Sequence, residues 1–204
     1  MIVGRVQPDN LELKSHFNDS YNGVIRILEI KEHGTSWRNN ISADIKRTIS
    51  RVINDVPFSL INKKIKNPIR IQVSQPLEAD YLLNYLDVSY THFDRVKESI
   101  FSKIVNSIAT NETIRGIETT EHMLKNGTEL TAFGKIEKLP TSWLSTSQTP
   151  QYRLSKPEKN GFSYILTPLS RIDLIDKLRS TTKTLKIFLI VTILLFFMLI
   201  HEIF

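Results

Sequence analysis

The segment VIRILEIK, residues 24–31, decides the fold class of this chain of 204 residues. Along it, apolar side chains alternate with polar or charged ones, and most of its residues are β-branched or otherwise apolar. Successive side chains of an extended strand point to opposite faces of a sheet, so this pattern predicts a half-buried β-strand. Residues 69–73 (IRIQV) repeat the alternation between Pro68 and Pro76 and predict a second strand.

Further short strands are predicted in the second half of the chain. Residues 117–124 and 129–136 flank Asn126-Gly127, a pair typical of a tight turn between strands. Two more extended pieces, residues 151–155 and 162–166, are divided by Pro157 and by Asn160-Gly161. Residues 139–150 are dominated by serine, threonine and proline and are expected to form an exposed loop.

Two segments instead show the spacing of an amphipathic helix. In residues 92–109 apolar side chains recur three or four positions apart, which predicts one central helix packed on the sheet; they are Phe93, Val96, Ile100, Ile104, Val105 and Ile108. Residues 168–179 (PLSRIDLIDKLR) show a similar spacing and predict a second helix, with Pro168 or Ser170 setting its first turn. This second helix leads directly into the apolar C-terminus.

Residues 185–204 (LKIFLIVTILLFFMLIHEIF) form a nearly continuous apolar run, which predicts a transmembrane helix. The alternative is a buried core helix, but such helices seldom lack a polar face. A bilayer core about 30 Å thick needs about 20 helical residues, so the flanking residues must complete the span. The expected membrane-spanning residues are Leu185, Ile187, Phe188, Leu194, Phe197 and Ile200.

These elements predict an α+β fold, in which a β-rich single domain carries one central amphipathic helix and a juxtamembrane helix. We place the domain at residues 1–180 and the transmembrane helix at residues 185–204. The N-terminus lacks the long apolar core and small-residue cleavage site of a signal peptide.

Composition narrows the classes of function. The net charge is +6, but the basic residues are scattered, and a nucleic-acid surface would need a longer basic stripe or aromatic stacking positions. The sequence contains no cysteine, which excludes disulfides, a thiol nucleophile and thiolate zinc sites within these residues.

No motif for catalysis or cofactor binding is apparent, and we predict no catalytic, cofactor-binding or metal-binding residue. The five histidines are isolated from one another, without the spacing of a metal site. The nearest group of carboxylates is Glu118, Glu121 and Glu129. Glu118 and Glu121 share a face on a helix but lie on opposite faces of a regular strand, and a solvated surface explains them better than an acid–base pair.

Several segments, in the same order along the chain, resemble the BAM or GIDE domain of mitochondria-anchored RING-type E3 ubiquitin ligases. The resembling residues are Gly4-Arg-Val, Gly23-Val-Ile, Glu32-His33, Trp37, Val56-Pro-Phe-Ser-Leu60, Arg115 to Leu124, Gly127 to Gly134, Tyr164-Ile-Leu-Thr and Leu174-Ile175. No single piece is a specific motif, but their order and the apolar C-terminal run support one another.

The resemblance implies a family plan of two membrane helices that enclose this domain, followed by a cytosolic RING. A RING needs eight cysteine or histidine ligands for two zinc ions, and this sequence has no cysteine. Zinc is therefore expected only in a RING outside these residues, and no E2-recruiting residue is transferred to this chain. The sequence is either part of a ligase or a RING-less relative.

Two functions of different class remain open. The first is a membrane-anchored regulatory or substrate-binding part of a mitochondrial outer-membrane ubiquitin ligase; the second is a stand-alone, tail-anchored interaction protein without ligase activity. Expected partners are the lipid bilayer and either protein substrates or a full-length ligase relative, with an E2 enzyme engaged only through a RING and no nucleic acid. The resemblance implies a domain in the intermembrane space, whereas the basic residues before the apolar run favour the cytosol.

Overall fold

The computed structural model describes residues 1–38, 41–62, 68–95, 112–140, 151–158 and 163–203. The chain divides into two compact units, Met1–Thr167 and Pro168–Phe204. The first unit contains all of the described strands, and the second contains a single long helix.

One of the two sheets in the first unit has seven strands, in the spatial order β10-β11-β6-β5-β1-β9-β12. Only Gly134 separates β9 from β10 in sequence, yet these strands lie near opposite ends of the sheet, so the sheet must curl until its ends approach. A Cβ atom at Gly134 would lie 2.7 Å from the Ser155 carbonyl oxygen, which explains the glycine at this bend. The strands are β1 (Ile2–Pro8), β5 (Phe58–Ile61), β6 (Arg70–Val73), β9 (Glu129–Phe133), β10 (Lys135–Lys138), β11 (Tyr152–Ser155) and β12 (Ile165–Thr167).

The second sheet is built around its longest strand, β3 (Asn22–Arg38). This strand pairs antiparallel with β4 (Ile41–Asp55) along one edge and with β8 (Glu112–Lys125) along the other. The short β2 (Leu13–Lys14) also pairs with β3, and β7 (Asp87–Arg95) pairs with β8. The spatial order is therefore β4, β3, β8 and β7, with β2 beside the start of β3.

The hydrophobic core joins the seven-stranded sheet to the first residues of β3 and the last residues of β8. Its fully buried members include Val24 and Ile25 of β3, Phe58 of β5 and Leu130 of β9. Two short 3-10 turns, Pro76–Glu78 and Leu82–Tyr85, also border this core, which includes Leu82 and Ala79, the residue that follows the first turn. Beyond the core, β3, β4, β7 and β8 continue as a sheet whose side chains are half-buried or exposed.

A buried carboxylate fastens the loop between β2 and β3, residues 15–21, across one face of the second sheet. The Glu121 side chain is fully buried, and its carboxylate accepts hydrogen bonds from the Ser15 hydroxyl, from the His16 backbone N–H at 2.9 Å and from the Ser89 hydroxyl at 2.6 Å. Burial opposes ionisation, but these hydrogen bonds outweigh it and lower the pKa of Glu121. The loop also stacks the Phe17 ring on Tyr90, with centroids 4.2 Å apart.

The second unit consists of the helix α1 (Arg171–Ile203). Ser170 precedes it and caps its first turn, because the Ser170 hydroxyl accepts a hydrogen bond from the Asp173 backbone N–H at 3.3 Å. Thr192, inside the apolar run, returns its hydroxyl proton to the Phe188 carbonyl oxygen at 2.9 Å, as expected for a threonine within a helix.

The predicted strands are present, but residues 129–136 form two strands, β9 and β10, rather than one, and the long strand β4 was not predicted. The predicted helices are wrong. The expected central helix of residues 92–109 is contradicted at its start, because residues 92–95 belong to strand β7; residues 96–109 lie outside the described residues. The apolar spacing in this segment suggested a helix, but backbone pairing with β8 determines its conformation. The pairing begins with Asp87 opposite Met123 and ends with Arg95 opposite Gly116.

The C-terminal part of the fold prediction is also wrong. The juxtamembrane and transmembrane helices expected at residues 168–179 and 185–204 are one continuous helix, α1. Among the described residues, no helix combines the length and the apolar character needed to cross a membrane. Lys183 and Lys186 lie within α1, so the apolar run is part of a longer helix that also carries charged side chains.

Replacing Leu130 with alanine should lower the free energy of unfolding by about 2 to 5 kcal/mol, because it leaves a cavity in the core. Leu130 is fully buried, whereas Leu11 is 72% exposed and provides a matched control. Urea denaturation monitored by circular dichroism should show a lower midpoint for Leu130→Ala and a shift below about 0.5 kcal/mol for Leu11→Ala. Equal midpoints for the two variants would place the core elsewhere.

Replacing Glu121 with glutamine should destabilise the fold at pH 7 by about 1 to 3 kcal/mol, because an amide cannot accept all of the hydrogen bonds that the carboxylate accepts. The pKa of Glu121 is below its ordinary value of 4.5, so ionised Glu121 stabilises the protein above that pH. This stabilisation is lost as the pH falls through the folded-state pKa. Urea midpoints should therefore differ between the wild-type chain and the variant at pH 7 and converge in acid.

The exposed Glu129 serves as the control, since its carboxylate lies 4.0 Å from the Arg5 guanidinium and is half exposed. Glu129→Gln should leave the urea midpoint nearly unchanged at every pH. If Glu121→Gln behaved in the same way, the carboxylate would not fasten the loop.

Candidate interaction surface

The part of the second sheet that extends beyond the core presents two faces of different chemistry, and we call this part the ribbon. It comprises residues 28–36 of β3, 44–52 of β4, 90–95 of β7 and 112–121 of β8. Because side chains alternate along each strand, the cross-strand registers assign the paired ribbon residues to one face or the other. Ile49 and Arg115 lie at irregularities in the pairing and have no register partner.

One face of the ribbon, which we call the charged face, is covered by ion pairs. Glu29 and Lys31 are in contact at 2.8 Å, and the hydrogen bond from Lys31 is the main cause of a lowered pKa at Glu29. Arg115 contacts the Asp44 carboxylate and donates a further hydrogen bond to the Thr35 hydroxyl at 2.6 Å. Lys46, Arg51 and Arg95 lie on the same face, so its basic side chains outnumber its acidic ones.

An aromatic side chain stands among these charges. The Phe93 ring is 41% exposed and contacts the His33 imidazole edge to face, with centroids 5.2 Å apart. His33 Nε2 lies 2.5 Å from the Glu118 carboxylate. Gly116 makes room for the ring, since a Cβ atom there would lie 2.5 Å from Phe93 Cζ. The charged face thus combines one exposed aromatic ring with a fixed histidine–carboxylate pair.

The opposite face, which we call the apolar face, carries a stripe of aliphatic side chains. Ile114 and Ile117 of β8 are each 37% exposed, and Val52 of β4 is 48% exposed. The loop fastened by Glu121 covers only the end of this face nearest the core. The stripe comprises Leu28, Ile30, Ile45, Val52, Ile114 and Ile117.

The three carboxylates considered from the sequence do not meet in one site. Glu118 lies on the charged face and Glu121 on the apolar face, as predicted for two residues three apart in a strand. Glu129 is on the other sheet, near Arg5. The expectation of a simply solvated surface is wrong for Glu121, which is fully buried.

The six residues expected to span a membrane all lie on α1. The side chains of Leu185, Ile187 and Phe188 are 63%, 63% and 71% exposed. Leu194, Phe197 and Ile200 are helical, but their side chains lie outside the described set. Their assignment to a bilayer stays a prediction that these exposures alone do not test.

No catalytic or metal-binding site is apparent among the residues that the structure describes. They bring together no group of three histidine, cysteine or acidic side chains able to hold a metal ion. A cleft of about 420 Å³ is lined by Asp55, Gln72, Gln75 and Arg153, among others, and a second of about 280 Å³ by Arg5, Glu12 and Asn126, among others. Neither cleft lining includes a histidine or a pair of carboxylates.

Sequence reasoning missed the His33–Glu118–Phe93 cluster because its members are far apart in the chain. His33 and Glu118 are separated by 85 positions. The alternation of Glu29, Lys31 and His33 was a usable signal that these residues share a strand face. The strand opposite them could not be identified, since register depends on tertiary packing.

Comparison with known proteins identifies the family. The GIDE family model, described as "E3 Ubiquitin ligase", matches residues 28–199. The human mitochondrial ubiquitin ligase activator of NFKB 1 is 27% identical over 193 residues, which cover 94% of this chain and 51% of that protein. The zebrafish mitochondrial ubiquitin ligase activator of nfkb 1-A is 30% identical over 138 residues, 67% of this chain and 39% of the relative.

A further relative is the Drosophila melanogaster mitochondrial E3 ubiquitin protein ligase 1, which is 28% identical over 138 residues, 67% of this chain and 39% of the relative. The chain spans about half the length of the human relative that it matches. No solved structure is significantly similar. The family match covers most of the chain and includes both the ribbon and most of α1, so the chain belongs to the GIDE family of E3 ubiquitin ligases.

Proposed function

We propose that this chain is the regulatory or substrate-binding part of a mitochondrial RING-type E3 ubiquitin ligase, and that the charged face of the ribbon receives the substrate. Family membership and the names of the relatives support a role in ubiquitin ligation at the mitochondrion. The observation that carries the binding role is the exposed Phe93 ring, held beside His33 and Glu118 among charged side chains.

Protein-binding sites concentrate their binding energy in a few aromatic and arginine side chains surrounded by weaker polar contacts. Phe93 and Arg115 are such side chains on the charged face, and both are held in place by neighbours before any partner arrives. A side chain that is already ordered loses little conformational entropy on binding. This preorganisation favours a docking role for the charged face.

The proposal leaves ubiquitin transfer to a RING outside these residues. Transfer needs a zinc-bound platform that holds the E2–ubiquitin conjugate, and this sequence contains no cysteine to build one. Partners of this chain are then protein substrates or a full-length ligase relative, while an E2 enzyme is engaged only through the RING. As the family plan implies, we place the complex at the mitochondrial outer membrane, with this domain in the intermembrane space.

If a RING outside these residues catalyses ubiquitin transfer, the purified chain will not stimulate ubiquitin chain formation when it is mixed with E1, E2, ubiquitin and ATP. A fusion of the chain with a RING domain of the family should form free chains at the rate of that RING alone. Immunoblotting for ubiquitin provides the measurement. Robust transfer by the unfused chain, unaffected by a zinc chelator, would overturn the proposal.

The same fusion tests the docking surface. Incubated with a mitochondrial extract, the fusion should modify proteins that the RING alone leaves unmodified. Replacing Phe93 with alanine should reduce this modification roughly tenfold or more, since loss of an aromatic anchor costs about 2 kcal/mol. Free-chain formation should not change, because the RING is untouched. Mass spectrometry of ubiquitin remnants measures both products.

Val88 gives a matched control for this substitution. It lies on the same strand and the same face as Phe93 and is 51% exposed, but it is nearer to the core and outside the His33–Glu118 cluster. Val88→Ala should keep substrate modification within about twofold of the unsubstituted fusion. Equal losses in the two variants, or no loss in Phe93→Ala, would count against the charged face as the substrate site.

A further inference from the structure

We propose that the charged face binds an extended acidic segment of a protein partner, in which two carboxylates four positions apart flank an apolar side chain. This inference rests on the proposed function, because it names the class of substrate that the same face would receive. Its starting point is one cross-strand row that ends in a cation at each margin of the ribbon. The row consists of Lys46 on β4, His33 on β3, Gly116 on β8 and Arg95 on β7.

The two cations at the ends of this row are free to meet a partner. Each carboxylate on the charged face of the described ribbon already contacts a basic side chain, in the pairs Glu29–Lys31, Glu118–His33 and Asp44–Arg115. Lys46 and Arg95 are exposed, and neither forms an ion pair with a carboxylate of the described chain. Their attraction for anions is therefore not spent within the molecule.

The Phe93 ring stands between these two cations. It contacts the His33 imidazole, and its Cζ atom lies over Gly116, where an added Cβ atom would be only 2.5 Å away. The glycine thus leaves the middle of the row open for the ring. An exposed aromatic ring flanked by cations is complementary to a ligand that carries an apolar side chain between two acidic ones.

Strand spacing determines how far apart the carboxylates of this ligand must be. Three strand spacings separate β4 from β7, so the Cα atoms of Lys46 and Arg95 are about 14 Å apart. An extended peptide advances about 3.3 Å per residue, so its positions i and i+4 are about 13 Å apart and point to the same side as i+2. A peptide that crosses the strands can therefore place carboxylates over both cations and its i+2 side chain against Phe93.

The other charges of this face favour a peptide over a uniform polyanion. A nucleic acid carries a phosphate at every nucleotide, and its backbone would also meet the carboxylates of Glu29 and Glu118 in the neighbouring rows. Like charges brought together at an interface are unfavourable. A peptide can instead place its carboxylates only where the row supplies a cation and carry neutral side chains elsewhere.

Peptide binding to the full chain provides the test. The labelled peptide SGESLSESG has its two glutamates four positions apart, whereas SGSEELSSG contains the same residues with the glutamates side by side. Fluorescence anisotropy at low ionic strength should show that the spaced peptide binds at least about fivefold more tightly, because only its carboxylates reach both cations. Equal affinities for the two peptides would overturn the inference.

Charge reversal identifies the residues that the peptide contacts. Lys46→Glu and Arg95→Glu should each weaken binding of the spaced peptide about fivefold, since each replaces an attraction with a repulsion. The variant with both substitutions should prefer the lysine peptide SGKSLSKSG, because the signs are exchanged at each contact. A double variant without this reversed preference would contradict the proposed row.

Lys138 gives the matched control, since it is exposed on strand β10 of the other sheet. Lys138→Glu changes the net charge by the same amount and should keep the peptide Kd within about twofold of the unsubstituted value. Equal losses in Lys138→Glu and Lys46→Glu would indicate a general attraction by the basic chain and overturn the inference. Circular dichroism of every variant verifies that the sheets are intact.

Two further outcomes separate this inference from its alternatives. A nine-nucleotide thymidine strand that bound more tightly than the spaced peptide, and lost affinity in the same variants, would assign the row to a polyanion and overturn the inference. If the spaced peptide is not preferred but Phe93→Ala still reduces substrate modification by the RING fusion, the charged face remains the substrate site and only the acidic class is wrong. If Phe93→Ala leaves that modification unchanged, the proposed function fails and this inference fails with it.

Discussion

The pairing of β3 along both of its edges is the constraint on which the rest of the first unit depends. Its register with β4 and β8 places Ile25 and Ile27 in the core and, farther along the same strand, Lys31 and His33 on the charged face. A slip of one residue would exchange the two faces of the strand. The composition of the core and the chemistry of the two ribbon faces therefore depend on the same strand register.

The same constraint explains how a single sheet can serve two purposes. Near its base, the second sheet is anchored by core packing and by the Glu121 carboxylate, which holds the loop of residues 15–21 in place. Beyond that point no large apolar element of the described chain covers the ribbon, and its faces differ in chemistry. The charged face carries ion pairs and Phe93, whereas the apolar face combines the aliphatic stripe with the pairs Arg47–Glu32 and His92–Asp94.

The sequence predicted the strands better than the helices for a physical reason. Alternation in residues 24–31 depends on the burial of one strand face, which is local and visible in the sequence, and β3 contains this segment. In residues 92–95 the apolar spacing fitted a helix, but nine residues of β7 are held by pairing with β8, a contact that the local pattern does not report. At the C-terminus the apolar run was recognised, yet it continues a single helix that includes lysines.

By itself the sequence determined a β-rich chain of the GIDE family without cysteine, because alternation, collinear segments and composition are properties of the chain alone. Only the tertiary structure decided which side chains share a face. An irregularity in the pairing of β3 with β8 beyond His33 shifts the alternation of β8, so that Ile114 pairs with Gly34 on the apolar face while Arg115 reaches Thr35 on the charged face. Strict alternation would have placed both residues on the wrong sides. A register shift arises from hydrogen bonding between distant strands, and no local pattern specifies it.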